Sequence, residues 1–157
     1  MFLRNHQDRR LVAAIRRIRD NQGRSGLTAG LARARGKIAH AFWSLVSGSD
    51  IARQADIAAD TRFPHLNGVV IHEDAVVEPG CMIMQQVTLG QTAGPGAPHV
   101  GRGAYIGAGA KVLGSVRIGA GARIGANAVV LEDVPPNATA VGVPARIIAA
   151  PVGGDEG

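Results

Sequence analysis

Five histidines, one cysteine and twelve carboxylates are the side chains of this 157-residue chain that can pass a proton, attack a carbonyl or hold a metal. His65, His72 and His99 stand in its middle. A neutral imidazole can take a proton from a hydroxyl or ligate zinc. A catalytic zinc would need three histidines converging from adjacent elements, and these three lack such a spacing. His65 sits in the irregular stretch FPHLNGVV, and a plain surface histidine is the simpler reading of it there. The lone Cys81 excludes an internal disulfide framework and is compatible with a reducing compartment.

What positions these groups is a repeat of six. VGRGAY, IGAGAK, VLGSVR, IGAGAR, IGANAV and VLEDVP begin at Val100, Ile106, Val112, Ile118, Ile124 and Val130. A branched aliphatic opens each unit, and Ala104, Ala110, Val116, Ala122 and Ala128 fall two places before the next opening. Period six matches neither the 3.6 of a helix nor the alternation of a two-faced strand. It matches a solenoid whose short flat sides each end in a corner. Aliphatics then stack inward, and small residues fill the turns. Aromatics at 3% and 22 glycines agree, since a narrow prism has little room for rings.

The same interval starts earlier, at Ile51, Ile57 and Phe63, and slips through FPHLNGVV. It resumes at Ile71, Val77, Ile83 and Leu89. Cys81, two places before Ile83, is therefore expected to pack, and His72, next to an inward Ile71, to sit on the periphery. A second slip carries GQTAGPGAPH, a Gly- and Pro-rich loop expected to leave the wall and to hold function, with His99 at its end. Pro135, Pro136 and Pro144 withhold donors and stop a further coil.

Three segments follow: a helical segment over 1–48, the solenoid over 49–148, and a flexible tail over 149–157. In the first, residues 5–20 place Leu11, Val12, Ile15 and Ile18 on one stripe, Asn21 to Gly26 break the helix, and a second helix runs from Leu27 to Val46. Leu31, Ile38, Phe42, Trp43, Leu45 and Val46 are expected to supply its packing contacts. Residues 1–48 carry ten Arg or Lys against Asp8 and Asp20, a local +8; the remainder carries seven against ten, a local −3. Without interleaved aromatics or a nucleic-acid motif, the basic part predicts solvated helix faces and no nucleic-acid partner. Weak association with a membrane surface is the lesser reading. No apolar run approaches membrane-spanning length and the N-terminus lacks a signal-peptide core, so a cytoplasmic location is expected.

The six-residue units resemble those of the hexapeptide-repeat acyltransferases, whose fold is a left-handed parallel β-helix with three units to each triangular coil. DIARQADI, PHLNGVVIHEDAVV, QQVTLG and the terminal DVPPNATAVGVPARII resemble serine O-acetyltransferases more narrowly, over residues 50–148. The likeness is to short forms of the kind found in polysaccharide gene clusters. The N-terminal helices are much shorter than the helical domain of full-length members.

That resemblance implies an acetyl-CoA-dependent O-acetyltransferase, with acetyl-CoA as co-substrate and no metal. His65 falls on the general base and Asp50, fifteen residues upstream, on the carboxylate that orients it. An imidazole would deprotonate the acceptor hydroxyl and later protonate the leaving thiolate, while the carboxylate fixes its tautomer. His99 ranks second for the catalytic role. Gly90, Ala108 and Ala126 would let the pantetheine arm approach the backbone between subunits of a homotrimer. Lys111, Arg123 and Arg146 are candidates for its phosphates. Two departures touch the acceptor. Pro64 replaces an acidic residue before the base, and Gly96-Ala97 replace an Arg-His pair. The small hydroxyl acceptor is thus serine or a sugar. The rival class is a γ-carbonic-anhydrase-like or non-catalytic hexapeptide scaffold.

Overall fold

The computed structural model describes residues 7–149. Two helices precede a β-solenoid of five coils, built from fourteen short strands that fall on three faces. The first face holds β1 (Asp50–Ile51), β3 (Val70–Ile71), β6 (Thr88–Gly90), β9 (Lys111–Leu113) and β12 (Val129–Val130). On the second lie β2 (Asp56–Ile57), β4 (Val76–Val77), β7 (His99–Val100) and β10 (Arg117–Ile118). The third comprises β5 (Met82–Ile83), β8 (Tyr105–Ile106), β11 (Arg123–Ile124), β13 (Thr139–Gly142) and β14 (Ala145–Ala149). All pairings are parallel except β13 with β14. The antiparallel β14 follows the prolines and ends the coil series.

The six-residue interval works as expected. On the first face Ile51, Ile71, Leu89, Val112 and Val130 stand in register, all buried, and equivalent columns fill the other two faces. Burying such an aliphatic contributes about 1.5–3 kcal/mol. Corners turn on left-handed residues stacked one per coil. Between the third and first faces these are Gly68, Gln86, Gly109 and Asn127, with φ of 66°, 59°, 73° and 55°. Between the second and third faces they are Gly80, Gly103, Gly121 and Asn137.

The helix α1 (Gln7–Asp20) buries the stripe expected of it, since Leu11, Val12 and Ile15 join the solenoid core and cover its first coil. Arg16 donates to the Ile57 carbonyl, and Arg19 forms an ion pair with Asp56. The Arg19 guanidinium holds the Asp56 carboxyl below its ordinary range. The second helix, α2 (Leu27–Ser47), ends at Gly48, whose N–H donates to the Ser44 carbonyl from a left-handed conformation. Here one expectation is corrected. Leu31, Ile38, Phe42, Leu45 and Val46 are exposed, and only Trp43 of that set packs on the core. Ala29, Gly36 and Ser47 are buried instead. A Cβ on Gly36 would come within 2.7 Å of Ile18 Cγ1, so the small-residue side is the one that lets α1 approach. The expected tail lies outside the described residues apart from Ala149, the last residue of β14.

Two glycine substitutions separate corner geometry from ordinary helix propensity. Gly109→Val puts a β-branched residue at positive φ, with its Cβ against the Asn127 side chain. It should cost about 1–3 kcal/mol in urea denaturation. Gly30→Ala, in a helix with open space around the new Cβ, should instead stabilise by about 0.5–1 kcal/mol.

Candidate functional site

His65 lies in the six residues, 64–69, that replace the usual four at the corner between the third and first faces. The longer corner carries its ring outward, exposed, in a cavity shared with Asp8, Ser47 and Asn67. Below this corner the backbone ladder runs unbroken: Gln86 N–H donates to the Asn67 carbonyl (2.9 Å), Gly109 N–H to Gln85 (2.9 Å) and Asn127 N–H to Ala108 (2.8 Å). Ala108 and Ala126 are therefore on the same edge as His65, one coil apart from each other. Gly107 packs on the Ala126 backbone so closely that a Cβ would sit 2.7 Å from its nitrogen. Lys111 flanks the edge on the first face, its ammonium donating to the Gln86 carbonyl at 2.6 Å. Arg123 flanks it on the third, stacked over the Tyr105 ring at 4.9 Å. The edge is thus a shallow strip of backbone and small side chains, with a histidine at one end and a cation on each side.

Asp50 opens the strand that pairs with the exit of the His65 corner. Its N–H donates to the Val69 carbonyl (2.8 Å), and Gly68 N–H donates to Gly48 (3.0 Å). The Asp50 carboxylate is exposed and lines a first-face cavity with His72 and Gly90 rather than the His65 cavity. Among the described residues no hydrogen bond or ion pair joins Asp50 to His65. Gly90 sits where neighbouring side chains leave little room. A side chain there would meet Leu113 Cδ2 and Thr88 Cγ2 at 3.2 Å. His72 was expected at the periphery and is half-buried beside Asp50, its Nδ1 accepting from the Asp74 N–H at 3.2 Å. Arg146 lies apart, on β14 at the closing end of the solenoid.

His99 sits on the second face, where the loop 91–98 rejoins the wall. Its Nε2 meets Glu78 Oε1 at 2.8 Å, and the other Glu78 oxygen accepts the Arg102 N–H at 3.0 Å. The His99 bond, then the Arg102 bond, hold the Glu78 carboxyl below its ordinary range. This imidazole–carboxylate pair lines a groove with Arg117 and Asp133. Cys81 packs as expected. Its thiol donates to the Gly101 carbonyl at 3.2 Å, and burial pushes its pKa up, the opposite of what a nucleophile needs. His65, His72 and His99 occupy a corner, the first face and the second face respectively.

Two residues escaped the sequence. Asp8 is buried in the His65 cavity, where its carboxylate accepts from Phe63 N–H (3.4 Å) and Arg62 Nε (3.3 Å) and ties α1 to the strand entering the corner. Only helix docking reveals it. Glu78 finds His99 one coil away, and the register of Val77 with Val100 would have shown this once the inserted loop was discounted.

Comparison with known proteins agrees with the fold. Residues 97–132 match the family described as Bacterial transferase hexapeptide (six repeats). The serine acetyltransferase of Salmonella typhimurium is 47% identical over 105 residues, which are 65% of this chain and 38% of that protein. A serine acetyltransferase solved in complex with CoA superposes with a TM-score of 0.70 at 40% identity, over 86% of this chain and 55% of that one. The soybean apoenzyme superposes at 0.68 and 35% identity, over 87% and 67%. The chain therefore spans well under half the length of the curated relative, and about half to two thirds of the two solved chains.

The Glu78–His99 pair makes a pH prediction. A folded pKa below the unfolded one stabilises the protein above the ordinary carboxylate range. That contribution is lost as pH falls through the depressed value. Thermal midpoints measured from about pH 6 down to pH 2 should fall less steeply for Glu78→Gln than for the unaltered protein.

Proposed function

The chain belongs to the hexapeptide-repeat acyltransferases, among which it resembles serine acetyltransferase, and from that premise we propose that it moves an acetyl group from acetyl-CoA to the hydroxyl of a small acceptor. The observation that carries the reading is the strip from His65 past Ala108 to Ala126 on a single edge. An extended pantetheine arm requires exposed backbone along a line, and bulky side chains would block it. Gly90, on the adjoining first face, lines the cavity that holds Asp50 and His72 and adds no side chain to it. Lys111 and Arg123, on either side of the edge, are placed to meet phosphates; Arg146 is further away and weaker in this role.

In this reaction His65 takes the acceptor's hydroxyl proton as the oxygen attacks the thioester carbonyl. The C–S bond then breaks, and the imidazolium returns its proton to the CoA thiolate. Asp50 is the orienting carboxylate; it stands on the strand that pairs with the exit of the His65 corner, and closure of the two side chains is part of the proposal. The edge is open to solvent in a single chain, and a homotrimer would wall it with a neighbouring subunit. A soluble acyl-CoA donor suits a cytoplasmic enzyme. No helix among the described residues is long and apolar enough to cross a membrane.

Serine is the acceptor that the relatives suggest. A sugar hydroxyl is favoured by Pro64 and Gly96-Ala97, which stand where the resemblance would place charged contacts to an amino acid. His99 keeps second rank for the base, since Glu78 orients it on a different face.

Release of CoA thiol, followed with serine and with a panel of sugar and nucleotide-sugar acceptors, tests the reading directly. His65→Ala should lower kcat/KM by about 10²–10⁴, and Lys111→Ala should raise KM for acetyl-CoA with little change in kcat. Full activity in His65→Ala together with its loss in His99→Ala would transfer the catalytic role to the second face.

A further inference from the structure

The surface that acetyl transfer leaves unexplained is the outer side of α2. Leu27, Leu31, Ile38, Phe42 and Leu45 are all exposed there, Leu27 at 91%, Ile38 at 71% and Leu45 at 84%. At 3.6 residues per turn these five fall within a band about 60° wide, along a helix about 30 Å long. Single exposed apolar residues are ordinary, but a contiguous stripe running the length of a helix marks an interaction surface.

The charge around the stripe identifies what it fits. From Asn21 to Ser49 the chain carries Arg24, Arg33, Arg35 and Lys37 and no Asp or Glu. Arg35 and Lys37 are exposed and join no ion pair among the described residues. On the helical wheel they border the stripe on opposite sides, and Arg24 stands just ahead of its N-terminal end. Arg33 is turned back, donating to the Asn21 and Arg24 carbonyls. A second copy of α2 would oppose these cations with cations and offer no carboxylate in return. An anionic lipid surface supplies both missing partners, phosphates for the rim and acyl chains for the stripe.

We propose that α2 docks in the plane of an anionic phospholipid bilayer, its leucine–isoleucine–phenylalanine stripe in the interface and Arg24, Arg35 and Lys37 on the lipid phosphates. The side of α2 that holds α1 remains packed, so the solenoid stays whole and is carried at the membrane surface. This inference is independent of the acetyl-transfer reading.

Vesicle flotation with the full chain is the test. The protein should float with vesicles of phosphatidylcholine and phosphatidylglycerol in equal parts and stay behind with phosphatidylcholine alone. Raised salt should weaken the binding. The combined variant Leu31→Ser, Ile38→Ser, Leu45→Ser should lose vesicle affinity by about tenfold or more, with an unchanged thermal midpoint because these side chains are exposed. Arg35→Glu with Lys37→Glu should lose the preference for phosphatidylglycerol. Failure of the unaltered protein to float with anionic vesicles overturns the proposal, as does a triple-serine variant that floats equally well. A drop in oligomer size on the triple substitution, with no vesicle binding by either protein, would also overturn it and make the stripe an interface between copies.

Discussion

Every coil of this prism must present its three inward aliphatics at the same height as those of the coil before it. The backbone ladders enforce that: Ile51 pairs with Ile71, Ile71 with Leu89, Leu89 with Val112 and Val112 with Val130. A shift of one residue would turn a whole column outward, because side chains alternate along a strand. The corners inherit the constraint. To turn in about four residues without losing register, successive coils repeat a left-handed residue at the same place, mostly glycine, with Gln86 in one upper coil and asparagine in the last. Asn127 and Asn137 show that the requirement is conformational, since asparagine is among the few other residues that tolerate positive φ. The open ends are handled separately, with α1 buried on the first coil and β14 reversed against the last strand.

Such regularity has a cost for function, because a regular coil exposes little that is distinctive. The count is broken at two places, and each holds a candidate histidine. The longer corner at 64–69 carries His65 outward, and the insertion at 91–98 rejoins the wall at His99. The inserted loop is held against the next coil. A Cβ on Gly96 would come within 2.7 Å of Ser115 Cβ, and one on Gly114 within 3.2 Å of Thr92 Oγ1. Both irregularities leave the inward columns undisturbed, because Phe63, Ile71, Leu89 and Val100 remain buried on either side. The scaffold thus tolerates added residues only at its edges, where they protrude.

The repeat, its two slips and the helix boundaries were legible because each is a periodicity, and periodicity is local. What crosses between elements was less so. The structure gives α2 two sides, one of large aliphatics and one carrying Ala29, Gly36 and Ser47. The larger apolar side looked like the buried one. Packing chose the other because helices approach over small residues, and Ile18 already occupies the space above Gly36. Asp8 was hidden for a similar reason, since its partners are 54 and 55 residues away and only docking of α1 joins them. Glu78 and His99 were obscured by the loop, which lengthens the coil between them.

The charge division gains meaning once the edges are placed. The helical segment holds +8, whereas residues 49–148 hold seven Arg or Lys against eight Asp or Glu, so the solenoid by itself has little net field to draw in an anionic donor. The proposed donor would depend on local cations, and the candidates differ in position. Arg146 is on the closing strand, away from the strip of small residues. Lys111 and Arg123 stand on opposite faces of the edge that carries Ala108 and Ala126, and each is already held in place. The Lys111 ammonium is bound to a carbonyl of the coil before it, and the Arg123 guanidinium is stacked on Tyr105. A cation held by one partner loses less side-chain freedom when it meets a phosphate, so ordering the donor costs less. A prism of nearly balanced charge thus carries two held cations along one edge without a basic surface overall.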